Sequence, residues 1–127
     1  MIRPESLPPQ LLAYIGDAVY ELYIRCKLVG GVAKPVRRLH REAVRYVGAD
    51  GQAQILRLLS SHLTEQEAEI VRSGRNSKGR VPKSAAMTTY RHATGLEALF
   101  GYLYLRGDLP RIAALLELID LGEEERK

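Results

Sequence analysis

The chain of 127 residues contains no Trp, one Phe and one Cys. A lone Cys26 excludes an internal disulfide, and with it the disulfide-scaffold class of small domains. Cys26 falls in an apolar helical pattern, which predicts a buried, inert thiol rather than a nucleophile. No run of about 18 apolar residues occurs, so no membrane span is expected. The opening Met1-Ile2-Arg3-Pro4-Glu5 has no apolar signal core, and the expected location is the cytoplasm. His40, His62 and His92 have no metal-ligand spacing and read as surface or cap residues. Internal repeats, β-alternation and an interdomain linker are all missing. One domain over residues 1–127 is expected, with its core at about 7–121 and a charged tail at 122–127.

What is present is apolar and helical. Hydrophobic residues make up 46% of the chain and charged residues 27%. Pro8-Pro9 can open a helix that runs from Gln10 to about Val29 and ends at Gly30-Gly31. Leu11, Ile15, Val19, Leu22 and Cys26 form a stripe on it, and Leu12, Tyr20, Tyr23 and Ile24 add apolar surface elsewhere. A helix apolar on several sides is expected at the centre of its domain. A second helix is predicted from Pro35 to about Val47. Its Val36, Leu39, Ala43 and Val47 face inward, and Arg37, Arg38, Arg41 and Arg45 face out. A third covers roughly 49–62. Thr64 with Glu67 forms a capping box that opens a fourth, ending near Ser73. Residues 74–84, with Gly74, Gly79 and Pro82, read as an exposed basic loop. A fifth helix spans about 87–106 and a sixth about 109–121. The fold class is all-α.

Net charge is +4, but it is unevenly placed. Arg72, Arg75, Lys78, Arg80, Lys83 and Arg91 lie in one stretch that holds no acid, while the rest of the chain is slightly acidic. Such a cluster favours a local polyanion contact over a uniformly basic protein. A solvated connector is the alternative.

Two carboxylates interrupt apolar helices. Asp17 sits within Leu11–Tyr20, and Glu97 within Leu96–Leu105. Both are expected to be largely enclosed, where an ionised carboxylate is costly unless it is paired or bound to metal. Each has a helical glycine close by, Gly16 beside Asp17 and Gly101 one turn after Glu97. Glycine inside a helix costs about 1 kcal/mol relative to Ala. Two such costs point to a close helix–helix approach that would bring Asp17 and Glu97 together as oxygen ligands for Mg²⁺. The plainer reading leaves each acid half-exposed or paired with an Arg. Glu21 is one turn after Asp17 and could join it, or could pair with Arg25.

These segments resemble a known family. Leu12-Ala13-Tyr14-Ile15-Gly16-Asp17-Ala18-Val19 is similar to the signature helix of ribonuclease III. Leu96-Glu97-Ala98-Leu99-Phe100-Gly101-Tyr102-Leu103-Tyr104-Leu105 resembles its second acidic helix. Arg72-Ser73-Gly74-Arg75-Asn76 and Thr89-Tyr90-Arg91 look like the Mini-III branch. The resemblance spans about Leu7 to Leu121. It implies a helical endonuclease domain acting as a homodimer, with Mg²⁺ at Asp17 and Glu97 as catalytic and metal-binding residues. It further implies cleavage of double-stranded RNA, and a role in maturing the large-subunit (23S) ribosomal RNA precursor. No small-molecule organic cofactor is implied. The wider family carries four acids. Here the Glu expected one turn before Asp17 is Ala13, and the Asp expected three residues before Glu97 is Thr94. That branch has no separate double-stranded-RNA-binding domain, so RNA contact is expected from Arg75, Asn76, Lys78, Arg80, Lys83 and Arg91, through phosphates and 2′-hydroxyls.

Two other classes remain open from sequence. One is a non-catalytic dimer of the same fold that clamps ribosomal RNA, against which the two acids argue. The other is a helical DNA-binding module built on the Arg37–Arg45 helix.

Overall fold

The computed structural model describes residues 3–30, 33–77 and 84–119. A short 3-10 helix at Pro4–Ser6 precedes α1 (Pro9–Val29), α2 (Val36–Val47) and α3 (Ala49–Leu59). A second 3-10 turn at Ser60–His62 leads to α4 (Glu65–Arg75), α5 (Ala85–Leu105) and α6 (Leu109–Glu117). No strand occurs among the described residues. None of their helices is long and apolar enough to cross a membrane.

The helix at the centre is α5, not α1. It packs against α1, α3, α4 and α6. Leu96, Ala98, Leu99, Phe100, Tyr102 and Leu103 are all buried, so it is enclosed around most of its circumference. Ser84 caps it by accepting a bond from the Met87 N–H at 3.0 Å. Its end turns through Gly107, whose φ of 77° suits a residue without Cβ. Asp108 then caps α6 by accepting from the Arg111 N–H at 3.2 Å.

The stripe that α1 buries is not the expected one. Leu12, Gly16, Val19, Tyr20, Ile24 and Leu28 face the core. Leu11, Leu22 and Cys26 are exposed. The expected buried thiol is therefore at the surface. Glycine explains the choice between two apolar stripes. The stripe carrying Gly16 lets the α5 backbone come closer, and the tighter fit takes that face. Tyr20 is fully buried, its ring edge against Phe100 at a centroid distance of 5.2 Å. Its hydroxyl donates to the Tyr46 carbonyl at 2.7 Å, tying α1 to α2. Burial, with Tyr46 adding to it, pushes that phenol well above its ordinary range.

The capping box at the start of α4 is present in full. The Glu67 N–H donates to Thr64 Oγ1 and the Thr64 N–H donates to Glu67 Oε1. Glu67 also takes two bonds from the Arg111 guanidinium, both at 2.8 Å, which clamp α6 to α4. Two expectations fail nearby. Gly74 lies in α4 rather than in a loop, because α4 packs on α5 there. A Cβ on Gly74 would stand 2.9 Å from Ala98 Cβ and 3.0 Å from Gly95 Cα. In α2, Val36 is 80% exposed instead of inward. Only Ala43 is fully buried there, with Leu39 and Val47 partly so, while Arg37, Arg38, Arg41 and Arg45 are exposed as expected.

Candidate active site

Gly16 and Gly101 do mark a close approach of two backbones. A Cβ built on Gly16 would lie 1.5 Å from the Glu97 carbonyl oxygen, and one on Gly101 would lie 2.0 Å from the Leu12 carbonyl oxygen. Neither separation is physically possible, so both positions require Gly. α1 and α5 thus run antiparallel in direct backbone contact, with Gly16 against Glu97 and Leu12 against Gly101. Asp17 follows Gly16 in α1, which puts both acidic residues at one level of the crossing.

Their side chains are not enclosed as expected. Asp17 is exposed and Glu97 is partly exposed. Asp17 lines a surface groove with Tyr14, Ile15, Ala18, Leu22 and Tyr104, and Glu97 is not among that groove's walls. The reason is rotational. The face of α1 that meets α5 is centred on Gly16, and one residue further on the side chain has turned about 100° towards solvent. Glu97 Oε2 instead accepts a hydrogen bond from Gln52 Nε2 of α3 at 3.3 Å.

The neighbouring candidates divide clearly. Glu21 pairs with Arg25, the plainer of its two readings. Thr94 is buried, and its hydroxyl donates to the Tyr90 carbonyl at 3.0 Å, back-bonding within its own helix. Ala13 is buried and has no ligating atom in its side chain. Among the described residues no group of three or more His, Cys, Asp or Glu gathers as a metal cluster. A donor set of two carboxylates still suits Mg²⁺, which binds through one or two carboxylates and keeps several waters.

The predicted RNA contacts are only partly described. Arg75 ends α4, partly buried, and the Cβ direction of Gly95 points at its Cγ. Asn76 caps α4 and lines an exposed groove with Pro8, Gln10, Arg72 and Ser77. Gln10 Nε2 donates to the Ser77 carbonyl across that groove at 2.9 Å. Arg91 is partly buried on α5. Lys78, Arg80 and Lys83 lie outside the described residues. Gln52 is the residue that the sequence reading passed over. Its only signal was phase, since residues 52, 55, 56 and 59 share the buried face of α3.

A model of the ribonuclease III domain matches residues 10–108. The chain belongs to the ribonuclease III family. It is 51% identical over 114 residues to Mini-ribonuclease 3 of Thermoanaerobacter sp. (strain X514), covering 89% of this chain and 80% of that protein. Identity is 49% over 118 residues to Mini-ribonuclease 3 of Symbiobacterium thermophilum, with 92% and 91% covered. A crystal structure of a Fusobacterium nucleatum protein superposes with a TM-score of 0.79 at 28% identity, covering 93% of this chain and 95% of that one. The domain match agrees with the ribonuclease III resemblance of the two acidic helices, and the relatives agree with the Mini-III resemblance of residues 72–76 and 89–91. The enzyme is an endoribonuclease of the ribonuclease III class.

Proposed function

We propose that the enzyme cuts double-stranded RNA as a homodimer, using Mg²⁺ held by Asp17 and Glu97. The observation that carries this reading is the Gly16–Glu97 backbone contact, which brings two acidic residues to one level of an otherwise apolar crossing. When bound, Mg²⁺ supplies activation of a water molecule and stabilisation of phosphodiester charge. The chain's own part is to hold two carboxylates at the edge of a rigid crossing, within reach of a bulky duplex. Arg75, Asn76, Lys78, Arg80, Lys83 and Arg91 then meet phosphates and 2′-hydroxyls, by shape more than sequence. The large-subunit (23S) ribosomal RNA precursor is the proposed substrate, on the strength of the Mini-III likeness, and the cytoplasm the proposed location.

A second copy of the chain is the proposed cover for the outer face of α1. Tyr14 is 78% exposed and Leu22 57%, and with Tyr104 they form an apolar surface beside Asp17. A twofold pair would hide that surface and present one acidic site per RNA strand.

The test is incubation of purified protein with a plain RNA duplex, with and without Mg²⁺, beside Glu97→Gln. Cleavage that needs the ion and is lost in folded Glu97→Gln is expected. Tight binding of duplex RNA without cleavage at any Mg²⁺ level would favour the clamping dimer instead.

A further inference from the structure

Gln52 is buried deeper than its chemistry warrants. It is 2% exposed, on the face of α3 that carries Ile55, Leu56 and Leu59. Its Oε1 is buried and has no hydrogen-bond partner among the described residues. An unsatisfied buried acceptor costs about 1–3 kcal/mol, and an apolar side chain of similar length would avoid that cost. The amide is therefore best explained by its other end.

Nε2 donates to the Val47 carbonyl at 2.9 Å and to Glu97 Oε2 at 3.3 Å. Both partners are acceptors, so the reversed amide would set oxygen against oxygen twice, and the orientation follows from the network. Val47 is the last residue of α2, where a helix leaves carbonyls unpaired. The corner behind it is tight. A Cβ on Gly51 would stand 2.0 Å from the Arg45 carbonyl oxygen, and the Gln52 N–H donates to the Gly48 carbonyl at 2.9 Å. One amide proton is thus anchored to a rigid helix corner and the other is presented to the carboxylate.

We propose that Gln52 is a positioning residue that orients the Glu97 carboxylate for divalent-metal binding. This rests on the reading of Glu97 as a metal ligand. A neutral amide suits the task. It restrains the carboxylate through a charge-assisted bond and takes away none of its negative charge. The guanidinium that clamps Glu67 does the opposite and makes that carboxylate structural.

Gln52→Met keeps the length and the apolar fill and removes the donor. Bound Mn²⁺ is read by electron paramagnetic resonance without RNA, and the Mg²⁺ requirement by cleavage of an RNA duplex. Loss of an outer partner of a metal ligand weakens metal affinity about 10–100-fold. Gln52→Met should weaken Mn²⁺ binding and raise the Mg²⁺ needed for half-maximal cleavage by at least about tenfold. Duplex binding in EDTA should stay at the parental level. In a Glu97→Gln background, Gln52→Met should change Mn²⁺ affinity no further, whereas a merely structural role would still show. If Gln52→Met does not fold, Gln52→Asn replaces it, with the same amide one methylene too short to span Val47 and Glu97. Parental Mn²⁺ affinity and Mg²⁺ requirement in either folded variant overturn the proposal. Parental values in Glu97→Gln itself would instead remove Glu97 as the ligand.

Discussion

The two faces of α1 differ more in shape than in hydrophobicity. The inner face, at Leu12, Gly16 and Tyr20, lies against α5 with the two backbones touching. The outer face, at Leu11, Tyr14 and Leu22, is as apolar in sequence yet exposed. Asp17 stands on the outer side of that divide. Hydrophobic residues mark both faces as sticky, and only the glycine marks one of them as the face that α5 occupies. A carboxylate one residue beyond Gly16 then gains a rigid base and open access together.

The harshest test of this contrast is Gly16→Ala. The added methyl would overlap the Glu97 carbonyl oxygen, an immovable backbone atom. The helices must part, at a cost above about 3 kcal/mol, the upper end for overpacking. Thermal melting by circular dichroism should show a collapse of the midpoint or no folded protein. A midpoint within a few degrees of the parent would mean the crossing is looser than described.

Next in size is the clamp remote from α1. Arg111→Met leaves Glu67 buried beside a hydrocarbon, and removing one partner of a buried pair costs about 3–5 kcal/mol. Burial pushes the Glu67 carboxyl up. The Arg111 bonds and then the Thr64 backbone bond outweigh it and hold the carboxyl below 4.5. A carboxylate lowered on folding stabilises the protein above its unfolded value and stops doing so as pH falls through its folded value. The parent should therefore lose stability on acidification below about pH 4.5. Arg111→Met should lose less over that interval, since it starts without the pair. Denaturant melts at pH 7 and pH 4 check both, and equal acid sensitivity would remove Glu67 from the account.

The outer face should answer differently. Tyr14→Ser with Leu22→Ser touches exposed side chains, so the fold of one subunit should change by less than about 0.5 kcal/mol per site. Assembly should change far more, from the proposed dimer to a monomer in light scattering. A variant that remains dimeric would move the proposed contact off α1.

Asp17→Asn should disturb stability least of all. The side chain is exposed and keeps its size. Its melting midpoint and its duplex binding in EDTA should match the parent, while cleavage in Mg²⁺ should fall at least about a hundredfold, beyond the usual loss of an outer-shell partner. Near-parental turnover would separate Asp17 from the chemistry and leave its place beside Gly16 without functional meaning.

Local signals in the chain determined a good deal. Periodicity and caps are properties of consecutive residues, and they placed the six helices to within a few residues at most ends, including the Thr64–Glu67 box. The two helical glycines marked a close approach, because an unneeded glycine is a local cost with no local return. The acids at positions 17 and 97 stood out as interruptions of apolar helices, although the enclosure expected of both is not found. Tertiary structure alone decided which of two apolar stripes on α1 is covered, since that depends on the fit of α5 and not on hydrophobicity. It also decided that Asp17 is open, because a rotation of about 100° per residue carries it off the contact face. Gln52 looked like any polar residue in a short helix. Its meeting with Glu97 joins positions 45 residues apart, and no pattern within one helix can encode that.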